Sequence, residues 1–273
     1  MKSKALAYPY IIWMIIFTVV PILLIVHYSF TVTAGGVTSF TFGNIIRFFD
    51  SLYLTILWRS IVLAVQATAI CLLLGYPVAY ILAQREFRDR NMLIFLFVVP
   101  MWMNFLIRTY AWLVILGNNG VLNTVLRFFG LPTVQLLFTD GAVLLGLVYT
   151  FLPFMILPVY VSIQKIDQSL VEGAQDLGAN GFNVFRRIIL PLSLPGVVSG
   201  LIMVFMPAVA TFVVSNLLGG GQFMLIGNLI EQQFLLVGNW HFGSALALIL
   251  MILIVLCNVL LSFISKDTKE DAL

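Results

Sequence analysis

Charge is what this chain has least of. Only 9% of its 273 residues are Asp, Glu, Lys or Arg, against 62% hydrophobic, and its mean hydropathy is +1.09. Soluble domains carry roughly 25% charged residues, so this composition excludes an ordinary water-soluble fold and calls for a membrane. Cysteine is nearly absent as well. Cys71 and Cys257 each lie deep in an apolar run, where an isolated thiol acts as a small packing group rather than half of a disulfide or a metal pair. The two histidines, His27 and His241, have no His, Cys, Asp or Glu at ligand spacing, which argues against a metal centre and against histidine catalysis. A serine nucleophile elbow is missing, and so is any G-x-x-x-x-G-K-[ST] phosphate loop, so ATP would have to bind elsewhere. The short alternating segments of a β-barrel are also missing. No internal repeat relates the two halves, which weakens an inverted-repeat carrier.

What the chain does have is long apolar runs. About 20 such residues cross roughly 30 Å of hydrocarbon as a helix, and six runs qualify: 8–30, 60–83, 92–117, 141–163, 192–218 and 241–265. The fold class is therefore all-α, a polytopic membrane protein with six transmembrane helices. The first run follows Lys2 and Lys4 and precedes Val32-Thr33-Ala34, a faint signal-peptide pattern, but it is too long for a cleaved signal core and is read as a retained helix. Between the first two runs, a turn-rich "TAGGVTSFTFGN" leads into "IIRFFDSLYLTILWRS", whose apolar spacing predicts an interfacial helix.

Six spans put both termini on one side. That side would hold Lys2, Lys4, Arg85, Arg88, Arg90, Lys165, Arg186, Arg187, Lys266 and Lys269, and the other only Arg47, Arg59 and Arg127. The excess of cations places both termini in the cytoplasm. It also accounts for the net charge of +3 without a nucleic-acid partner, for which no basic face exists. Arg108 is the one charged residue within a span. At a cost of roughly 2.5 to 3.5 kcal/mol on insertion scales it is expected to face protein and to pair with an outer acid or with helix-end carbonyls.

A polar passage interrupts the apolar pattern between spans four and five: "KIDQSLVEGAQDLGANGFNVFRRIILP", ending at Pro191. Asp167 is a candidate N-cap. Ile166, Leu170, Ala174 and Leu177 recur at helical spacing, predicting a short helix over 168–177 with one apolar face. Gly178 stands where a helix end takes a left-handed residue. Asn180-Gly181 marks another turn, "FNVFRRIIL" a second short helix, and Pro191 opens the next span. Such a hairpin is either a solvated topology loop or a helix that docks in the groove of a partner.

Its spacing resembles the signature loop of ABC importer permeases: Glu-Ala-Ala, three residues, Gly, nine residues, Ile, one residue, Leu-Pro. Glu172, Ala174, Gly178, Ile188, Leu190 and Pro191 match, while Gly173 stands where the family usually has alanine. The stretches "GYPVAYILA", "VPMWMNFLIRTYAW", "GLVYTFLPFMILPVY" and "LPLSLPGVVSG" look like the permease core. With "LIGNLIEQQF" and "NWHFGSALAL", nearly the whole chain is similar to the spermidine/putrescine permeases, and to the B type of the two.

The resemblance implies a type I importer permease fold, with an N-terminal helix and outer segment over 1–57, a core over 58–265 containing a coupling loop at 164–191, and a cytoplasmic tail at 266–273. It further implies a second permease, two ATPase subunits that hold ATP and magnesium, an extracytoplasmic binding protein and a small polycationic substrate, with no cofactor and no catalysis on this chain. In that picture Pro77, Pro153, Pro158 and Pro207 are either pivots or packing kinks. No acid lies in the spans, so a polyamine would meet aromatic faces and amides. The candidates are Trp102, Asn104, Tyr110, Tyr149 and Asn216, with Asp50, Asp140 and Glu231 as outer acids. A permease for another small solute is the alternative, and an ion-coupled carrier or a membrane enzyme would require ionisable groups that the spans lack.

Overall fold

A computed structural model describes residues 8–84 and 90–270, so Lys2, Lys4, Arg85 and Arg88 of the charge count lie outside the described residues. Among those described, six helices are long and apolar enough to cross a membrane: Pro9–Ser29, Ser51–Ala83, Phe105–Phe128, Asp140–Gln164, Gly181–Ala210 and Trp240–Leu261. The number matches the sequence reading, but several boundaries move.

The first span is built from α1 (Tyr8–Met14) and α2 (Val20–Ser29), joined by a π-turn over Ile15–Val19 in which the Val20 N–H donates to the Ile15 carbonyl. Pro21 follows directly. It has no N–H for the regular ladder, and the wider turn lets the helix continue past it. Side chains around this span are exposed from Tyr10 to Leu24, as suits a helix surrounded by lipid.

The next segment departs from the expectation of a single interfacial helix. Thr31–Ala34 (β1) and Val37–Phe40 (β2) pair antiparallel, with Thr31 opposite Phe40. Gly35 and Gly36 turn the hairpin at φ +58° and +81°, the left-handed pair that a two-residue loop demands. After α3 (Gly43–Phe48), the extended backbone at Asp50 starts α4, Ser51–Ala83. The second span thus begins at 51 rather than 60. Its 33 residues measure about 50 Å at 1.5 Å each, longer than the hydrocarbon layer.

The third span is the largest correction. Instead of one helix over 92–117, α5 (Arg90–Trp102) and α6 (Phe105–Leu116) meet at a break, followed by α7 (Val121–Phe128). Asn104 is extended and its side chain accepts from the Leu106 N–H at 2.9 Å, so a strong N-cap restarts the helix inside an apolar run. Pro100, near the end of α5, cannot supply the N–H that a continuous ladder needs.

The core is formed by α4, α8 (Asp140–Gln164) and α11 (Leu190–Ala210). Ala64, Ala67 and Cys71 on α4 face Leu147, Met155 and Ile156 on α8, with Val197 and Val204 from α11 closing the cluster. Close approach depends on small residues, as is usual between membrane helices. A Cβ at Gly196 would lie 2.4 Å from Ser162 Cβ and 2.6 Å from the Pro158 carbonyl. Arg59 Nη2 bonds both oxygens of Asp140, at 2.7 and 2.9 Å, and ties the beginning of α4 to that of α8. The last helix, α14, runs from Trp240 to Glu270, past the predicted boundary at 265.

Candidate functional site

The 164–191 loop is structured throughout. Asp167 Oδ1 accepts from the Ser169 N–H at 3.0 Å and starts α9 (Gln168–Asp176). At the other end Gly178 has φ +85°, while Ala179 N–H reaches the Ala174 carbonyl at 3.0 Å and Gly178 N–H that of Gln175 at 2.8 Å. These two bonds close a Schellman cap, which needs a left-handed residue at Gly178. Asn180 then accepts from the Asn183 N–H at 2.9 Å and caps α10 (Gly181–Val184).

From here the structure differs from the sequence reading. The second short helix is not separate. It runs through a π-turn over Phe185–Ile189 into α11, so that Gly181–Ala210 is one span. The cause is the one seen at Pro21: Leu190 N–H donates to the Phe185 carbonyl, and the wider turn accommodates the N–H that Pro191 lacks.

The predicted apolar stripe is also only half right. Ile166, Val171 and Ala174 pack on the core, as does Ala179, but Leu170 is 52% exposed and Leu177 91% exposed. Phe182 is exposed as well. Of the signature residues, Glu172, Gly173 and Gly178 face outward, while Ala174, Ile188, Leu190 and Pro191 are half-buried. The surface offered by α9 and the following turn is therefore mixed, with carboxylate and amide groups between exposed leucines. Beyond its chain neighbours and the backbone of its own helix, nothing lies within 4 Å of where a Gly173 Cβ would stand. Gly173→Ala is thus expected to stabilise α9 by up to about 1 kcal/mol, seen as slower amide hydrogen exchange across 168–177.

Phe185 was not singled out from sequence. Its ring meets Tyr76 edge-on with centroids 5.9 Å apart and Tyr80 at 5.4 Å, both residues being on α4. Tyr76 Oη is also 2.8 Å from Ser193 Oγ on α11. The loop is thereby clamped to two core helices. The available signal was the four-residue spacing of two tyrosines in "GYPVAYILA", which puts them on one helix face.

At the far end of the bundle a second polar group assembles. The fifth span stops at Ala210 instead of 218; α12 (Val213–Gly219) and α13 (Ile226–Leu235) follow. Asn228 fills the break: its Nδ2 donates to the Phe212 carbonyl at 3.1 Å and to Asn216 Oδ1 at 2.5 Å, and its Oδ1 accepts from Ser215 Oγ at 2.6 Å. Asn216 Nδ2 in turn donates to Glu231 Oε2 at 2.7 Å. Side-chain amides satisfying backbone freed at a helix break are what hydrocarbon surroundings require. Asn216, predicted within a span, thus sits on a separate short helix and is exposed.

No hydrogen bond or ring contact joins the five route candidates to one another among the described residues. Trp102 stacks edge-on with Phe95 at 5.9 Å and Tyr149 with Trp112 at 5.3 Å, Tyr110 is exposed, and Asn104 is occupied as an N-cap. Arg108 is 9% exposed and its Nε has no hydrogen-bond acceptor among the described residues, so the predicted pairing with an acid or helix-end carbonyl is not observed. Asp140, one of the outer acids, is paired with Arg59. His241 Nδ1 lies 3.2 Å from the Tyr28 carbonyl and from Thr31 Oγ1, a packing role.

Residues 72–269 match the family model described as the binding-protein-dependent transport system inner membrane component. The chain belongs to this family. Among curated relatives, the permease is 43% identical over 249 residues to the spermidine/putrescine transport system permease protein PotB of Haemophilus influenzae, covering 89% of this chain and 87% of that one. It is equally similar, at 43% over 245 residues, to PotB of Escherichia coli, with 88% and 89% covered. The inner membrane ABC transporter permease protein YdcU of Escherichia coli is 31% identical, with 85% of this chain and 78% of that one covered. In three dimensions the permease superposes on a bacterial ABC transporter involved in the import of alginate with a TM-score of 0.78 at 19% identity, covering 97% of this chain and 95% of the other. The fold is thus that of ABC importer permeases, and the permease is a multi-pass membrane subunit with no catalytic role of its own.

Proposed function

We propose that this permease carries spermidine and putrescine inward as one of two membrane subunits of an ATP-driven importer. The observation that supports this most strongly is 43% identity along nearly the whole length of the two PotB proteins. Both termini and the 164–191 loop face the cytoplasm, in keeping with the excess of Lys and Arg on that side. A second permease pairs with this one, two ATPases that bind ATP and magnesium dock below, and an extracytoplasmic binding protein delivers the polycation from above.

Docking uses Glu172 and Gly173 on the outer side of α9 and Gly178 at its C-terminal turn, supported from the core side by Ala174 and by Ile188, Leu190 and Pro191 at the start of the fifth span. The exposed Leu170 and Leu177 favour this reading over a solvated loop, because an amphipathic helix lays its apolar residues into a partner's groove. Within the membrane the route offers aromatic faces at Trp102, Tyr110 and Tyr149 and amides at Asn104 and Asn216. Each aromatic face attracts an ammonium group by about 0.5 to 2 kcal/mol.

The test is uptake of labelled spermidine by cells lacking redundant polyamine systems, with and without this chain and with its partners intact. Uptake that vanishes with the chain and returns with it supports the proposal. Unchanged uptake overturns the substrate and turns attention to other small solutes.

A further inference from the structure

We propose that Glu231, aimed by Asn216, is the point at which this chain receives an ammonium group of its substrate, at the end of the bundle opposite the 164–191 loop. This rests on the polyamine reading above and adds a site to it. Three observations converge on this carboxylate.

The first is its unused capacity. A carboxylate accepts at both oxygens, yet only Oε2 of Glu231 takes a hydrogen bond, from Asn216 Nδ2. The ion pair found among the described residues is Arg59 with Asp140, which leaves Glu231 without a cation there. Its other oxygen and its charge are thus available to a cation.

The second is preorganisation. Glu231 is the last member of a chain that begins at Ser215 Oγ, passes through Asn228 and Asn216, and is anchored to the Phe212 carbonyl. The helix that carries it, α13, is pinned to α4 where Ile226 N–H donates to Ser60 Oγ at 2.8 Å. The carboxylate is therefore held in place before any ligand arrives, which lowers the ordering cost of binding.

The third is the surface beside it. Glu231 borders a groove of about 550 Å³ in which it is the sole charged lining residue, next to Phe212 and Phe234 and the aliphatic Leu250 and Met251. Methylenes lie favourably against such a wall, and aromatic faces attract an ammonium group. A carboxylate at one edge of an apolar groove matches a flexible chain that alternates methylenes with ammonium groups. It matches an anion or a sugar poorly. Glu231 is among the outer acids that the sequence offers, and the tertiary structure places it beside Asn216 and the groove.

The experiment uses the complete importer in proteoliposomes, with saturating binding protein, and counts spermidine molecules taken up per ATP hydrolysed. Glu231→Gln keeps the shape and the acceptor for Asn216 but removes the charge. It is expected to lower this ratio about tenfold, the scale of one charge-assisted hydrogen bond lost, while Glu231→Asp restores part of it. Co-purification of both ATPases with each variant checks assembly, and a general folding defect would depress hydrolysis and uptake together rather than their ratio. An E231Q ratio equal to that of the parent overturns the site while leaving the polyamine reading intact. A parent importer that moves no spermidine overturns the polyamine reading itself, and the site with it. Repeating the assay in vesicles of phosphatidylcholine and phosphatidylglycerol separates the remaining source of ammonium: an E231Q effect confined to phosphatidylethanolamine vesicles makes the ligand a lipid headgroup and overturns the proposal.

Discussion

Gly178→Val is expected to release the ATPase subunits from the membrane complex and to abolish uptake, while the chain itself remains inserted. At φ +85° a side chain costs about 1 to 2 kcal/mol, and a β-branched one more; each 1.4 kcal/mol changes a conformational population about tenfold. Relief of that strain requires the residue to leave the left-handed region. Both cap bonds, from Ala179 to Ala174 and from Gly178 to Gln175, would then open. Helix α9 would lose its C-terminal anchor, and Leu170, Glu172 and Leu177 would no longer be presented together. Gly178→Asn is the informative companion, because asparagine tolerates the left-handed region and should retain most of the binding. Co-purification of the ATPase with a tagged permease reads the outcome. Normal recovery with the valine variant would show that the cap does not shape the docking surface.

Phe185→Ala is expected to have a different signature, with ATPase still bound but transport reduced about tenfold for each 1.4 kcal/mol withdrawn from the clamp. Phe185 sits between Tyr76 and Tyr80, directly behind the docking hairpin. Truncating a fully buried Phe costs 3 to 5 kcal/mol. For a half-buried ring, about 2 kcal/mol is the appropriate scale. Ile166, Val171, Ala174 and Ala179 still hold the hairpin against the core, so removing the ring leaves the docking face intact and loosens its link to α4 and α11. Phe185→Leu should be intermediate. The decisive measurement is the ratio of uptake to ATP hydrolysis in proteoliposomes. A variant that loses ATPase binding and uptake in parallel would assign Phe185 to docking instead of transmission.

Much of this architecture is legible along the chain because lipid imposes a simple rule. Backbone polar groups must be satisfied within each segment, so long apolar runs become helices, and six helices long and apolar enough to cross a membrane are found among the described residues. The loop was readable for a related reason: Asp167, Gly178 and Asn180 are local signals that act over three or four residues. Where reading failed, the cause was also local chemistry, but set within apolar runs that hydropathy averages over. Asn104 restarted the third span as a cap, and the π-turn before Pro191 merged a predicted separate helix into the fifth. Leu170 and Leu177 show the opposite error. Helical spacing identifies a stripe but not what covers it, and the core took Val171 and Ala174 while leaving the leucines outside.

The sequence by itself therefore determined the membrane class, the number of apolar helices and the position of the structured loop at 164–191, because each follows from the polarity and spacing of neighbours. Only the tertiary structure decided how distant residues meet. Phe185 reaches Tyr76 and Tyr80 across more than a hundred positions, Arg59 takes Asp140, and Glu231 arrives beside Asn216. The physical reason is that hydrophobicity is non-directional and says only that a helix is buried in lipid or protein. The close packing of α4, α8 and α11, with the breaks that let α12 and α13 fold back, chooses which polar groups face one another.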